Sequence, residues 1–157
     1  MGRRIRCRSS SVEDTRAIAS AVAGELRPGD IVALSGDLGA GKTCFVRGLA
    51  RGLGADPEHV HSPSFTMVTE YRGGRVPLTH VDLYRLDAPV DDSGFLREAL
   101  YGNGVAAVEW FDRLRDAGQV DALVVTFGFA GGDRRTLRLA PRGRVHERLL
   151  DVVTQRC

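Results

Sequence analysis

Residues 30–43 read DIVALSGDLGAGKT. Asp30 to Ser35 is a short apolar run of the kind a buried central strand carries, and Gly36 to Gly41 is a loop rich in glycine. Gly36-Asp-Leu-Gly-Ala-Gly41-Lys42-Thr43 fits the pattern G-x-x-x-x-G-K-[ST]. Beyond it Phe45, Val46, Leu49 and Leu53 recur at helical spacing until Gly52-Leu53-Gly54 stops them. A buried strand, this loop and an amphipathic helix, in that order, make the pattern a P-loop. Its glycines let the backbone N–H groups from about Leu38, through Gly39, Ala40, Gly41 and Lys42, to Thr43 turn inward as an anion nest at a helix N-terminus. Lys42 is then expected to reach the β and γ phosphates of a nucleotide, and the Thr43 hydroxyl to coordinate Mg²⁺.

Composition sharpens the reading of Lys42. Of the 22 lysines and arginines, Lys42 is the only lysine. A chain that uses arginine everywhere else has kept a compact ammonium where the chemistry suits a point charge and not a planar fork. The length of 157 residues predicts one domain, 1–157, and 43% apolar with 27% charged residues is ordinary globular balance. The weakly polar run Ala122–Gly132 falls far short of the roughly 18 apolar residues of a membrane span. The basic start MGRRIRCRSS lacks the continuous apolar segment of a signal peptide, so a cytoplasmic protein is expected. Cys7, Cys44 and Cys157 are odd in number and scattered, so neither a disulfide framework nor a zinc module is expected. A net charge of +2 is too small to argue nucleic-acid binding. Arginines nevertheless crowd both ends (Arg3, Arg4, Arg6, Arg8, then Arg134, Arg135, Arg138, Arg142, Arg144), and would form a basic patch if the ends met in space.

Working outward, residues 4–8 alternate as an outer strand, and Ser11 with Asp14 three residues on caps a helix that runs to Arg27-Pro28-Gly29. Phe65–Tyr71 and Val76–Leu83 read as strands around Gly73-Gly74. Asp87–Gly94 reads as loop, Phe95–Tyr101 as a short helix, and Gly104–Trp110 as a buried strand. Ala122–Phe129 and Thr136–Leu139 form a hairpin around Gly131-Gly132, and Val145–Val153 is a closing helix. The fold expected is α/β: one P-loop NTPase-like domain whose central parallel sheet is extended by antiparallel strands, with helices on both faces.

A P-loop needs an acid on a neighbouring strand to hold Mg²⁺ and orient the attacking water. Glu109 ends the apolar run Val105–Val108, and Asp82 follows a more polar strand; spacing does not choose between them. His80 reads as a strand-face histidine, because no third ligand is near. Arg85 is as readily a structural partner of a carboxylate as an arginine finger. Cys44 sits in the first helical turn, where the dipole lowers a thiol pKa, although a small core residue is the simpler reading.

The blocks SGDLGAGKTCFVRGLARGLG, SPSFTMVTEY, THVDLYRL and VEW, in this order over residues 35–110, closely resemble the TsaE (YjeE) family of small bacterial P-loop ATPases. The DLYRL and VEW blocks together make the match specific. The resemblance implies Mg-ATP hydrolysis in support of threonylcarbamoyl transfer to the adenosine beside the anticodon of tRNAs reading A-starting codons. TsaB and TsaD are the implied partners, and tRNA is expected to be met only indirectly. It implies that Thr43 and Glu109 hold Mg²⁺, Lys42 binds phosphate, Asp82 is needed for hydrolysis, Trp110 sits close to the nucleotide, and the segment with Ser64 surrounds the γ phosphate. Ser11 to Thr15, and an arginine near Arg134, would flank the base. Three positions depart from the family pattern: Ser64 and Cys44 stand where threonine is usual, and Phe111 where proline follows VEW.

A small-molecule P-loop kinase is the alternative, weakened by the lack of an arginine-rich lid or an early acceptor-binding acid. A GTP switch would need a second lysine for N-K-x-D guanine recognition, and there is none.

Overall fold

The computed structural model describes residues 3–37, 41–61, 67–84, 95–115, 117–143 and 148–157. In chain order these form β1 (Ile5–Ser9), α1 (Val12–Ala23), β2 (Ile31–Ser35), α2 (Lys42–Leu53), β3 (Val68–Tyr71), β4 (Leu78–Asp82), α3 (Phe95–Tyr101), β5 (Val105–Glu109), β6 (Ala122–Phe129), β7 (Arg135–Arg142) and α4 (Arg148–Thr154). Single 3-10 turns occupy Pro57–His59, Phe111–Arg113 and Ala117–Gln119. The expected loop at Asp87–Gly94, the start of the expected strand at Phe65 and the start of the closing helix at Val145 lie outside the described residues.

One seven-stranded sheet runs in the order β1-β7-β6-β2-β5-β4-β3. Its centre, β6-β2-β5-β4, is parallel; β7 and then β1 add antiparallel on one side, and β3 on the other. Period-two alternation sends each strand's residues to two cores. Val32, Leu34, Ala107, Leu123, Val125, Leu137 and Leu139 pack under α1, α2 and α4. Ile31, Ala33, Val81, Ala106 and Val108 pack under α3 and the turns that hold Phe111 and Leu114. Helices therefore cover both faces, as the sequence predicts.

Local signals set the ends of the elements. The Ser11 hydroxyl caps α1 by accepting from the Asp14 N–H at 3.0 Å. Gly54, at φ 92°, closes α2 in the left-handed conformation that glycine adopts without a Cβ penalty. The second hairpin arm is longer than its alternation predicts. It continues through Pro141, which is opposite Leu123 on β6 but lies beyond Leu139, the last β7 residue paired with β1. There β7 is an edge strand, where proline is tolerated. Helices α1 and α2 touch through glycine: a Cβ on Gly48 would lie 2.4 Å from the Arg16 carbonyl oxygen, and one on Gly52 2.6 Å from that of Ser20.

The cysteine expectation needs correction. Cys7 in β1 and Cys157 are disulfide-bonded, with Cα atoms 5.1 Å apart. The chain ends do meet in space, because β1 pairs with β7 and α4 packs beside both. Arg3 bonds Asp151 at 2.6 Å, and Arg148 pairs with the buried Asp30.

Candidate functional site

Parallel strands deliver their C-terminal tips to one edge of the sheet, and the loops beyond those tips form the crevice. Here β2 delivers Ser35 and Gly36, β4 delivers Asp82, and β5 delivers Glu109 and Trp110. Glu109 lies between neighbours, paired in register with Leu34 on one side and Asp82 on the other. Gly41, at φ 106°, starts α2 with no side-chain cap, so the first N–H groups of the helix are left for another acceptor.

Lys42 is buried, at 5% exposure. Its ammonium donates to the Gly36 carbonyl at 2.8 Å and lies 4.5 Å from the centre of the Trp110 ring. Among the described residues it has no ion-pair partner. A recess of about 200 Å³ opens beside it, walled by Leu34, Gly36, Asp37, Lys42, Trp110 and Asp112. Trp110 holds its ring there from the left-handed region, at φ 59°, which costs about 1–2 kcal/mol for a non-glycine residue. Tyr84 braces it with ring centres 5.0 Å apart. Phe111 is itself buried and anchors the chain after Trp110.

Both carboxylates are buried. Glu109 Oε2 is 2.6 Å from His80 Nε2, and His80 is wholly buried, with no hydrogen-bond partner for its Nδ1 among the described residues. Asp82 Oδ1 accepts the Tyr84 N–H at 2.9 Å. Burial, with the neighbouring Glu109 charge adding to it, pushes the Asp82 carboxyl above its usual pKa. The Tyr84 N–H, His80 and Lys42 oppose the shift. Two buried carboxylates facing a buried cation make a site of concentrated charge with oxygen donors.

Of the residues singled out from sequence, Lys42, Asp82, Glu109 and Trp110 come together, and Thr43 sits half-buried in the first turn of α2. Leu38, Gly39, Ala40 and Ser64 lie outside the described residues, as does Arg85. Ser11 and Thr15 are at the start of α1, their hydroxyls engaged by the cap and by Ser9 at 2.6 Å. That start meets α2 where the Cys44 thiol donates to the Val12 carbonyl at 3.4 Å. Burial, opposed by Arg16 and Arg47, pushes the Cys44 thiol up, against the helix-dipole alternative to the simpler core reading. Arg134 is exposed on the β6–β7 turn. The arginine that approaches the P-loop is Arg135: a Cβ on Gly41 would be 3.9 Å from its Nε. Arg135 also lies 5.0 Å over the exposed Phe129 ring. Sequence reading gave only an arginine near Arg134 and took His80 for a strand-face histidine; its only signal for the latter is the two-residue spacing to Asp82.

The family model described as threonylcarbamoyl adenosine biosynthesis protein TsaE matches residues 9–137. A Bacillus subtilis protein named tRNA threonylcarbamoyladenosine biosynthesis protein TsaE is 37% identical over 153 residues, 98% of this chain and 96% of its own. One of the same name from Treponema pallidum is 46% identical over 112 residues, covering 70% of this chain and 81% of its own. The crystal structure of YdiB from Bacillus subtilis superposes with a TM-score of 0.78 at 34% identity, over 99% of this chain and 97% of that one. With its P-loop between β2 and α2, its sheet matched along its length and its sequence matched from Ser9 to Leu137, the chain belongs to the TsaE family.

Proposed function

We propose that this chain binds and hydrolyses Mg-ATP, and in doing so supports threonylcarbamoyl transfer to tRNA by a TsaB–TsaD pair. The observation that carries the reading is Lys42. Among the described residues this buried ammonium touches one carbonyl and one aromatic face, with no anion within ion-pair distance. The uncapped N-terminus of α2 points anion-binding N–H groups to the same place. A polyphosphate supplies that anion.

The donor set fits Mg²⁺, which takes hard oxygen ligands. Thr43 and Glu109 are the residues that would hold it, with Asp82 beside them. When bound, the ion neutralises charge that builds on the transferred phosphoryl group. Lys42 moves from the Gly36 carbonyl to the β and γ oxygens. Asp82, its pKa raised yet opposed by three neighbours, orients the attacking water by accepting its hydrogen bond. His80 fixes the rotamer of Glu109, and Trp110 closes one wall against bulk water.

Phosphate release from Mg-ATP, measured for the chain alone and with a TsaB–TsaD pair, tests this. Slow release that rises with the pair is expected, and release unmoved by the pair removes the assignment to that machinery. Glu109→Ala should weaken Mg²⁺-dependent ATP binding more than Asp82→Ala; the reverse order would exchange their roles.

A further inference from the structure

We propose that the arginine-bearing sheet face of β1, β7 and β6 is a docking surface for the phosphate backbone of a folded RNA. The choice of tRNA as that RNA rests on the family reading; the surface itself rests on the strands. The pairing that joins the chain ends sets Arg6 directly opposite Arg138, with Arg8 next along β1. Burial alternates along both strands: Cys7, Ser9, Leu137 and Leu139 turn inward, whereas Arg6, Arg8 and Arg138 are exposed. Arg4 is exposed too, and with Arg142 it borders a depression of about 280 Å³ floored by Val124, Ala140 and Pro141.

Three features make this more than an ordinary solvated strand face. First, β1, β6 and β7 contain no aspartate or glutamate, in a chain whose acids number 20. Second, Arg4, Arg6, Arg8 and Arg138 make no ion pair or hydrogen bond through their side chains among the described residues. Like charges directly opposite across two strands repel, so the Arg6–Arg138 pair is held at a cost that no acidic partner among the described residues offsets. Third, the layer that covers this side of the sheet, α3 with residues 111–115 and 117–120, ends against β6, where Arg142 reaches the Ala117 carbonyl at 2.6 Å. Among the described residues nothing covers this face of β7 and β1.

The chemistry favours a phosphodiester chain. Guanidinium groups present paired donors that match phosphate oxygens, and residues two apart on one strand face stand about 6.8 Å apart, close to the spacing of successive phosphates. The face lies on the opposite side of the sheet from the P-loop, because Arg135 turns toward Gly41 while Arg138 turns away.

Fluorescence anisotropy of the full chain with labelled unmodified tRNA, without partner proteins, tests the proposal across 50–300 mM salt. Binding should weaken linearly in log–log form with a slope of about −3, as expected for roughly four neutralised phosphates. Arg6→Gln with Arg138→Gln should flatten that slope by about 1.5 and weaken binding about 30-fold at 0.1 M salt. Arg6→Lys with Arg138→Lys should restore most of the loss. The glutamine variant should melt no lower than the parent, since it relieves a repulsion, and should bind ATP as before. Lys42→Ala should lose ATP and keep tRNA, which separates this surface from the nucleotide reading. No tRNA binding at 50 mM salt, a salt-independent affinity, or an affinity untouched by the double glutamine variant would overturn the proposal. A variant that keeps tRNA but loses a protein partner would also overturn it, assigning the face to an acidic protein surface.

Discussion

Lys42→Met separates two roles of one side chain, in the fold and with phosphate. The ammonium is buried, at 5% exposure, and among the described residues has no carboxylate within ion-pair distance. Desolvating it costs about 5 kcal/mol after relaxation. The charged hydrogen bond to the Gly36 carbonyl returns about 2 kcal/mol, the Trp110 face about 1.5 kcal/mol, and the attraction of the buried Asp82 carboxylate about 1.5 kcal/mol. Methionine fills much the same volume without the charge, so the variant should lie within about 1 kcal/mol of the parent. Unfolding entropy of about 2.1 cal/mol/K per residue gives about 0.33 kcal/mol/K for 157 residues, so Tm should move by no more than about 3 °C. Adding Mg-ATP at 100 times its Kd should stabilise the parent by about 2.7 kcal/mol, near 8 °C, and leave the variant unmoved. Differential scanning fluorimetry with and without Mg-ATP reads both. A Tm lower by more than about 3 °C in Lys42→Met without nucleotide would make Lys42 a structural cation, and a preserved ATP shift would refute its role with phosphate.

Three further outcomes are expected. Gly48→Ala puts a methyl 2.4 Å from the Arg16 carbonyl oxygen and 2.6 Å from the Ala19 Cβ. Overpacking of about 2–3 kcal/mol should outweigh the roughly 1 kcal/mol helix gain and lower Tm by about 3–6 °C, and a neutral result would mean α1 and α2 separate freely. Because burial raises the Cys44 thiol above its ordinary 9.0, alkylation at pH 8 should be slower than for a free thiol. The folded state also holds that proton longer than the unfolded one, so stability should be lost as pH rises above 9; fast alkylation at pH 8 would contradict the burial. Intact mass without reductant should be about 2 Da below the reduced value, and reduction should cost about 2–5 kcal/mol of stability because the bridge spans 150 residues.

The P-loop unit was legible because fixed spacing carries it: strand, glycine loop and helix lie within residues 30–54 and need no partner to be recognised. The apolar run of β5 likewise placed Glu109. What escaped were facts of register. His80 meets Glu109 only because β4 and β5 align Asp82 with Glu109, and no local pattern encodes that offset across 29 residues. Arg134 was singled out where Arg135 approaches Gly41, a difference of one residue, and in a strand one residue exchanges the faces. Cys7 and Cys157 gave no spacing signal, since their pairing follows from β1 closing against β7. That same closure decided whether two arginine-rich ends were separate solvated strands or one surface.

Strand β7 therefore serves two faces at once. Its odd-numbered residues begin with Arg135 beside the P-loop and continue as Leu137 and Leu139 in the core under the helices, while Arg138 stands on the reverse face among the other arginines. Coupling between the two faces would need an element with two discrete arrangements whose balance both ligands bias. A strand hydrogen-bonded on both sides through Leu139 is not such an element: a shift that moved Arg138 by one register would expose Leu137 and Leu139 together. The two bindings should then be independent, with the Kd for ATP agreeing within about twofold whether or not tRNA is present. Linkage requires any change to be reciprocal, so the same titration run in the other order checks it. A shared factor above about fivefold, on the order of 1 kcal/mol, would show that the hairpin moves as a unit and that the rigid-sheet reasoning fails.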